Sequence, residues 1–188
     1  MNRFPVIGAL ALILGACSSP SWPPFKGSAA RADLINPSGY KIGEATFAEN
    51  TDAPGVVMHL QAWDLPPGVY AMHIHDSGMC DVPDFQTTGG HFNPYGRKHG
   101  MKNPDGPHAG DLPNLVVPAN GKVDILVTIP EVTLQDGVSS LLRPRGTSLV
   151  IHADPDDERT DPGGNSGARM ACGVIRAPAT EIEEIEAK

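Results

Sequence analysis

From residue 30 onward, apolar and polar side chains alternate along short runs, and Gly, Pro, Asn or Asp cluster between them. Alternation with period two puts successive side chains on opposite faces of an extended chain, so each run reads as a strand with one face to a core. The runs are ARADLIN (30–36), YKIGEATFAE (40–49), VVMHLQAW (56–63) and VYAMHIH (69–75), then NLVVP (114–118), KVDILVTI (122–129), TSLVIHA (147–153) and ARMACGVIR (168–176). Turns such as PSG, DLPPG and Asn120-Gly121 separate them, and no convincing helical pattern intervenes. The expected fold is all-β: an eight-stranded antiparallel Greek-key β-sandwich or flattened barrel.

Two connections are too long for simple turns, 76–113 and 153–167, and each follows a strand that ends in histidine. Long Gly/Pro loops on a rigid scaffold are where function concentrates. The composition agrees with strands and turns rather than helices: 21 Gly, 19 Pro and only 19% charged residues among 188. A net charge of −8 argues against nucleic acid as a partner.

The N-terminus reads as a processing signal. Arg3 precedes the apolar run Phe4 to Leu14, which is too short to span a membrane. The run ends in Leu14-Gly15-Ala16-Cys17, which resembles the bacterial lipoprotein box. Residues 1–16 are then a signal peptide, Cys17 the lipidated residue, and 17–28 a Pro/Ser-rich linker. Ser18 after the acylated position implies the outer membrane, and hence a periplasmic, lipid-anchored protein. The functional domain is expected over 29–177, with an acidic tail over 178–188. Setting Cys17 aside leaves Cys80 and Cys172, either one disulfide in an oxidising compartment or two buried thiols.

His73 and His75 are two apart on an expected strand, so both side chains share a face, while Met72 and Ile74 turn to the core. The loop that follows carries His91, His99, His108 and Asp111, and three imidazoles with one carboxylate are the right number and type of ligand for a closed tetrahedral zinc site. His152 ends a distant strand and can join His73 and His75 if the strands are neighbours. Imidazole suits copper as well as zinc. Six histidines and Asp111 give seven ligands, one short of two four-coordinate sites, unless one imidazole serves both metals. Spacing alone does not say which.

The motifs HIH (73–75), GGHFNP (89–94), HAGDLPN (108–114), VIHADPDD (150–157) and GNSGARMACGVI (164–175) together resemble the copper/zinc superoxide dismutases, in their exported bacterial branch. The resemblance spans roughly residues 30–176. It implies one copper per chain held by His73, His75, His91 and His152, and one zinc held by His91, His99, His108 and Asp111, with His91 as the bridge and proton carrier. It also implies that Asp156 links a copper histidine to a zinc histidine, that Cys80 and Cys172 form the disulfide, and that Arg169 guides the anion. The remaining histidine, His59, fits no ligand position and is expected to be structural.

The implied activity is disproportionation of superoxide to dioxygen and hydrogen peroxide, protecting the cell envelope. A homodimer is a possible further partner state. The rival reading keeps the metals and drops the enzyme: a lipid-anchored protein that buffers or delivers copper and zinc. One departure bears on rate. The second loop carries Asp154, Asp156, Asp157, Glu158 and Asp161 against a single Arg159, which would weaken steering if those carboxylates line the channel. Lys98 and Lys102 are then the expected compensating charges.

Overall fold

The alternation in ARADLIN becomes β1 (Ala29–Ile35), with Ala30, Ala32 and Leu34 buried and Arg31 and Asp33 exposed. The computed structural model describes residues 29–178, so the expected signal peptide, Cys17, its linker and the tail from residue 179 lie outside the described residues. β2 (Lys41–Glu49), β3 (Val56–Ala62) and β7 (Val123–Ile129) extend one side of β1, each antiparallel to its neighbour. β9 (Arg169–Ile175), β8 (Thr147–His152) and β5 (Met72–His75) extend the other side, giving a seven-stranded sheet in the order β5-β8-β9-β1-β2-β3-β7. A second sheet pairs β4 (Gly68–Tyr70) with β6 (Leu115–Val117). The order is that of a Greek key, since strands far apart in sequence lie side by side.

Nine strands stand where eight were expected, because the run 69–75 divides at Ala71. Tyr70 pairs with Leu115 in the small sheet, whereas Met72 pairs with Ile151 in the large one. The Ala71 backbone bonds instead to the 152–154 segment, its N–H to Asp154 O and its C=O from His152 N–H, both at 2.9 Å. A strand that changes sheets in this way turns a corner of the barrel, which alternation alone does not reveal. No α-helix occurs among the described residues, only a 3₁₀ turn at Gln86–Thr88.

The inner faces of both sheets share one apolar core, with Phe47, Met58, Leu60, Ile74, Leu115 and Leu149 wholly or almost wholly buried. β8 is buried on both faces. Leu149 and Ile151 enter the main core, while Val150 faces outward beneath Phe85 and Cys172. The outer cluster exists because the Cys80–Cys172 disulfide ties the first long loop down onto β9, closing a sequence separation of 92 residues. In a chain-entropy treatment such a loop contributes on the order of 4–5 kcal/mol.

Candidate metal centre

Period two does at the end of the sheet what it does in the core. His73 pairs across β5–β8 with Val150 and His75 with Ser148, so both histidines stand on the outward face that Val150 occupies. That face is dry because the long loop returns over it. The Phe92 N–H donates to Ile74 O and the Ile74 N–H to Gly110 O, each at 2.8 Å, which brings His91 beside His75 and Asp111 beside His73. Gly110 is required there, since a Cβ would fall on Ile74 O. His73, His75, His99, His108, Asp111, His152 and Asp156 are all buried, and His91 is nearly so.

The structure brings every ligand candidate to one place. Ligand atoms of His73, His75, His91 and His152 lie within 4.8 Å of one another, as do those of His73, His91, His99 and Asp111. His108 completes the second group, its Nδ1 3.3 Å from Asp111 Oδ1. His73 and His91 both belong to both groups by distance, but His73 Nε2 is taken by Asp156, whereas His91 Nδ1 reaches Asp111. The His91 ring centroid lies 3.9 Å from that of His73 and 5.1 Å from that of His99.

Hydrogen-bond chemistry shows that these groups fit metal ions. His75 Nδ1 lies 3.0 Å from Gly89 O and His152 Nδ1 lies 3.4 Å from Gly167 O; a carbonyl only accepts, so each Nδ1 carries the hydrogen. Their Nε2 lone pairs then face each other at 3.3 Å with no hydrogen between them. Two buried lone pairs at that distance call for a cation. His73 presents the same requirement: Nε2 donates to Asp156 Oδ2 at 2.8 Å, while its buried Nδ1 has no partner.

The second group converges on one oxygen. Nδ1 of His91 and of His99 each lie 3.0 Å from Asp111 Oδ1, and His108 Nδ1 lies 3.3 Å from it. Asp111 Oδ2 is held by the Gly100 and His108 N–H groups at 2.9 and 3.0 Å, which fixes the carboxylate and aims Oδ1 at the rings. Three nitrogens around one oxygen are the ligand set of a tetrahedral site. His99 Nε2 donates to Asp156 Oδ1 at 3.0 Å, so Asp156 joins His73 of the first group to His99 of the second. Asn114 holds Asp156 through both backbone groups, its amide donating to Asp156 O at 2.9 Å and accepting from Asp156 N–H at 2.8 Å. Asn114 ends the motif HAGDLPN, but a side chain that clamps backbone leaves no chemical signature in a sequence.

Electrostatics keep the ligands ready. Burial pushes His75 down to about 2, with the neighbouring His91 adding to the shift. Burial likewise takes His152 to about 3 and His91 to about 4, the latter against the pull of Asp111. These rings are neutral and available to a metal at ordinary pH. His99 is the exception: burial opposes its charge, but Asp111 and Asp156 outweigh burial and raise it to about 9. Asp111 is held well below the usual carboxylate range by the His108, His91 and His99 imidazoles gathered at its oxygens, although burial works the other way.

A cavity of about 530 Å³ opens over His75, His91 and His152. Arg169 stands in its wall, donating to Phe85 O and to Gly89 O at 2.8 Å each. Of the five acidic residues in the second loop, only Asp161 lines this cavity. Asp156 is committed to the histidines, Glu158 pairs with Lys102, and Asp157 accepts from the Arg159 and Thr160 N–H groups. The expectation for the lysines is corrected by the same pairs. Lys98 is bound to Asp161 at 3.0 Å and Lys102 to Glu158, and neither lines the cavity, so neither supplies a free compensating charge. Arg97 does line it, and sequence reasoning missed it in favour of the adjacent lysine. His59 lies away from the centre on β3, with Nε2 2.7 Å from Asp124 Oδ1 across to β7.

Residues 41–175 match the model of the copper/zinc superoxide dismutase family. The chain is 51% identical over 149 residues to "Superoxide dismutase [Cu-Zn] 2" of Aquifex aeolicus, covering 78% of this chain and 86% of that protein. It is 43% identical over 144 residues to the superoxide dismutase-like protein YojM of Bacillus subtilis, covering 76% and 73% respectively. Among solved structures it resembles a SOD-like protein from Bacillus subtilis with a TM-score of 0.74 at 41% identity, over 77% of this chain and 96% of that one. It also resembles the Cu/Zn superoxide dismutase from Brucella abortus, with a TM-score of 0.63 at 27% identity, over 79% and 99%.

Proposed function

The chain belongs to the copper/zinc superoxide dismutase family, and on that premise we propose a lipid-anchored enzyme that removes superoxide at the cell envelope. It disproportionates superoxide: two superoxide ions and two protons become one dioxygen and one hydrogen peroxide. The observation that carries this reading is the pair of adjoining buried ligand groups, with His91 set between Asp111 on one side and the cavity walled by Arg169 on the other.

In this reading His73, His75, His91 and His152 hold copper, and His91, His99, His108 and Asp111 hold zinc, one of each per chain. Copper supplies the one-electron oxidation and reduction of successive superoxide ions, and zinc holds the shared ring in place. Arg169 receives the anion, because its guanidinium is fixed by two carbonyls and keeps its charge at any working pH. His91 holds the transferable proton at Nε2, the ring atom turned toward Gly163 at the cavity wall, while Nδ1 stays with Asp111. Asp156 fixes the tautomers of His73 and His99 together, so the two metal-binding groups keep one mutual orientation.

Cys17, within Leu14-Gly15-Ala16-Cys17, carries the lipid, and Ser18 directs the protein to the outer membrane. The domain then works in the periplasm. A homodimer is supported by Val69 and Val116, which pair across β4–β6 and are 44% and 65% exposed.

The test is direct measurement of superoxide decay with the mature protein carrying one copper and one zinc per chain. The expected result is copper-dependent consumption near the diffusional range. Full copper and zinc binding with decay no faster than in buffer would falsify the dismutase reading and leave a metal-buffering protein. Expressed with its full N-terminus, the protein is expected in the membrane fraction, and Cys17→Ala in the soluble fraction.

A further inference from the structure

Positive charge at the cavity mouth favours superoxide entry, and the loop lysines Lys98 and Lys102 are each ion-paired and do not line the cavity. Arg97 is built into the wall by three restraints. Asn93 clamps its backbone on both sides, accepting from the Arg97 N–H at 3.0 Å and donating to Arg97 O at 2.8 Å. The Tyr95 ring lies 5.3 Å from its guanidinium carbon. Its Nη1 is ion-paired with Glu131, which approaches from a different loop and does not line the cavity. Among the described residues, Arg97 and Arg169 are the only lysines or arginines that line the cavity. Asp161, the acidic residue that does so, is already bound to Lys98 and to the His99 N–H.

We infer that Arg97 is the outer anion-guiding cation of this site, and that Glu131 sets how much of its charge the incoming superoxide meets. The inference rests on the dismutase reading and names a further steering element within it. Arg169 is part-buried and stands beside His75, the two side chains sharing Gly89 O. Arg97 bonds to Glu131 instead, its side chain 37% exposed and that of Glu131 35%. An ion pair at such a position is a dipole with its positive end on the cavity side. Salt screens it strongly; deleting Glu131 leaves a net positive charge at the mouth, and deleting Arg97 leaves a net negative one.

The experiment compares the copper- and zinc-loaded wild type with Arg97→Gln, Glu131→Gln and the double variant. It reads kcat/KM for superoxide against ionic strength. Glu131→Gln is expected to raise the low-salt rate about two- to fivefold and to steepen its fall with salt. Arg97→Gln is expected to lower it by a similar factor and to flatten that fall. The double variant is expected to lie between the two. A brace that merely shapes the loop predicts instead that both single variants slow the enzyme alike with unchanged salt slopes, and that result overturns the inference.

A second readout is chloride-35 line broadening by the zinc-loaded protein. It is expected to rise in Glu131→Gln and to fall in Arg97→Gln, and equal broadening in all four proteins also overturns the inference. Should the loaded wild type consume no superoxide, the dismutase reading fails, while the chloride series still decides whether Arg97 and Glu131 form an anion guide.

Discussion

Arg169 stands directly across from His152, and a bulge in β9 puts it there. Ile151 pairs with Ala171, but the next residue, His152, pairs with Arg169, so Met170 is passed over. Without that slip His152 would oppose Met170, and Arg169 would fall on the opposite face from Cys172. A bulge of one residue reverses which face every following side chain takes, and here it brings the cation to the side where the histidines lie.

The position of Arg169 predicts a loss of rate with no loss of metal. Arg169→Ala is expected to lower kcat/KM about ten- to a hundredfold, in line with the reach of local field on anion capture. Bound copper and zinc should stay at one each per chain. Arg169→Lys should recover part of the rate, because a point charge replaces the fork that Phe85 O and Gly89 O hold. Superoxide decay alongside metal analysis checks both statements, and metal loss in Arg169→Ala would show a structural role instead.

Asp156 supports a prediction about affinity. Its two oxygens accept from His73 and His99, so Asp156→Asn leaves at least one ring facing an N–H and free to rotate. Removing such a partner typically costs 10- to 100-fold in metal affinity. Zinc competition with a chelator should show a loss of about that size with the disulfide intact. Gly164 tests the same linkage without altering a polar group. It has φ +64°, and a Cβ there would fall on Asp156 Oδ1 and lie 2.7 Å from His99 Nε2. Gly164→Ala is therefore expected to weaken zinc binding in the same direction.

The disulfide has a catalytic consequence through backbone rather than through sulfur. Cys80 anchors the loop that carries Phe85 O and Gly89 O, and Gly89 O accepts from both His75 and Arg169. Replacing Cys80 and Cys172 by serine is expected to cost on the order of 4–5 kcal/mol of stability. It should also lower kcat/KM more than metal content, because the guanidinium loses its fixed carbonyls first. Denaturant unfolding and superoxide decay on the same preparations separate the two effects.

Much of this centre is legible in the chain. HIH with period two places two ligands on one face, and the Gly- and Pro-rich stretch from His91 to Asp111 announces a ligand-held loop. What stays hidden depends on contacts between distant segments. The division at Ala71 follows from pairing partners forty or more residues away, and no local pattern marks it. The β9 bulge is equally silent, since Arg169 leads straight into the apolar run MACGVI with no turn residue at the slip to mark it. Lys98 and Arg97 are adjacent in sequence, yet Asp161 takes the lysine and the cavity receives the arginine. Charge counting along a loop cannot make that distinction, because the partners come from other loops.

The buried neutral histidines make the metal-free protein sensitive to acid, and the sign follows from their direction of shift. His75, His152 and His91 have folded values lowered to about 2, 3 and 4, below the ordinary 6.5. Below pH 6.5 the unfolded chain takes up protons at these positions while the folded chain does not. Stability therefore falls as pH drops, by up to about 1.4 kcal/mol per pH unit for each ring, until each folded value is reached. His99 works in the other direction: raised to about 9, its contribution is complete below 6.5 and is lost as pH rises through 9. It adds nothing to the acid limb. Asp156 is lowered and contributes only below the ordinary carboxylate value of 3.8, later on the same descent. Urea midpoints of the metal-free protein should thus decline steadily from about pH 6 to pH 4, whereas the copper- and zinc-loaded protein should resist until protons displace the metals. A flat metal-free midpoint across that interval would show that the histidines are already protonated in the folded state, and that the facing nitrogens of His75 and His152 are not both bare.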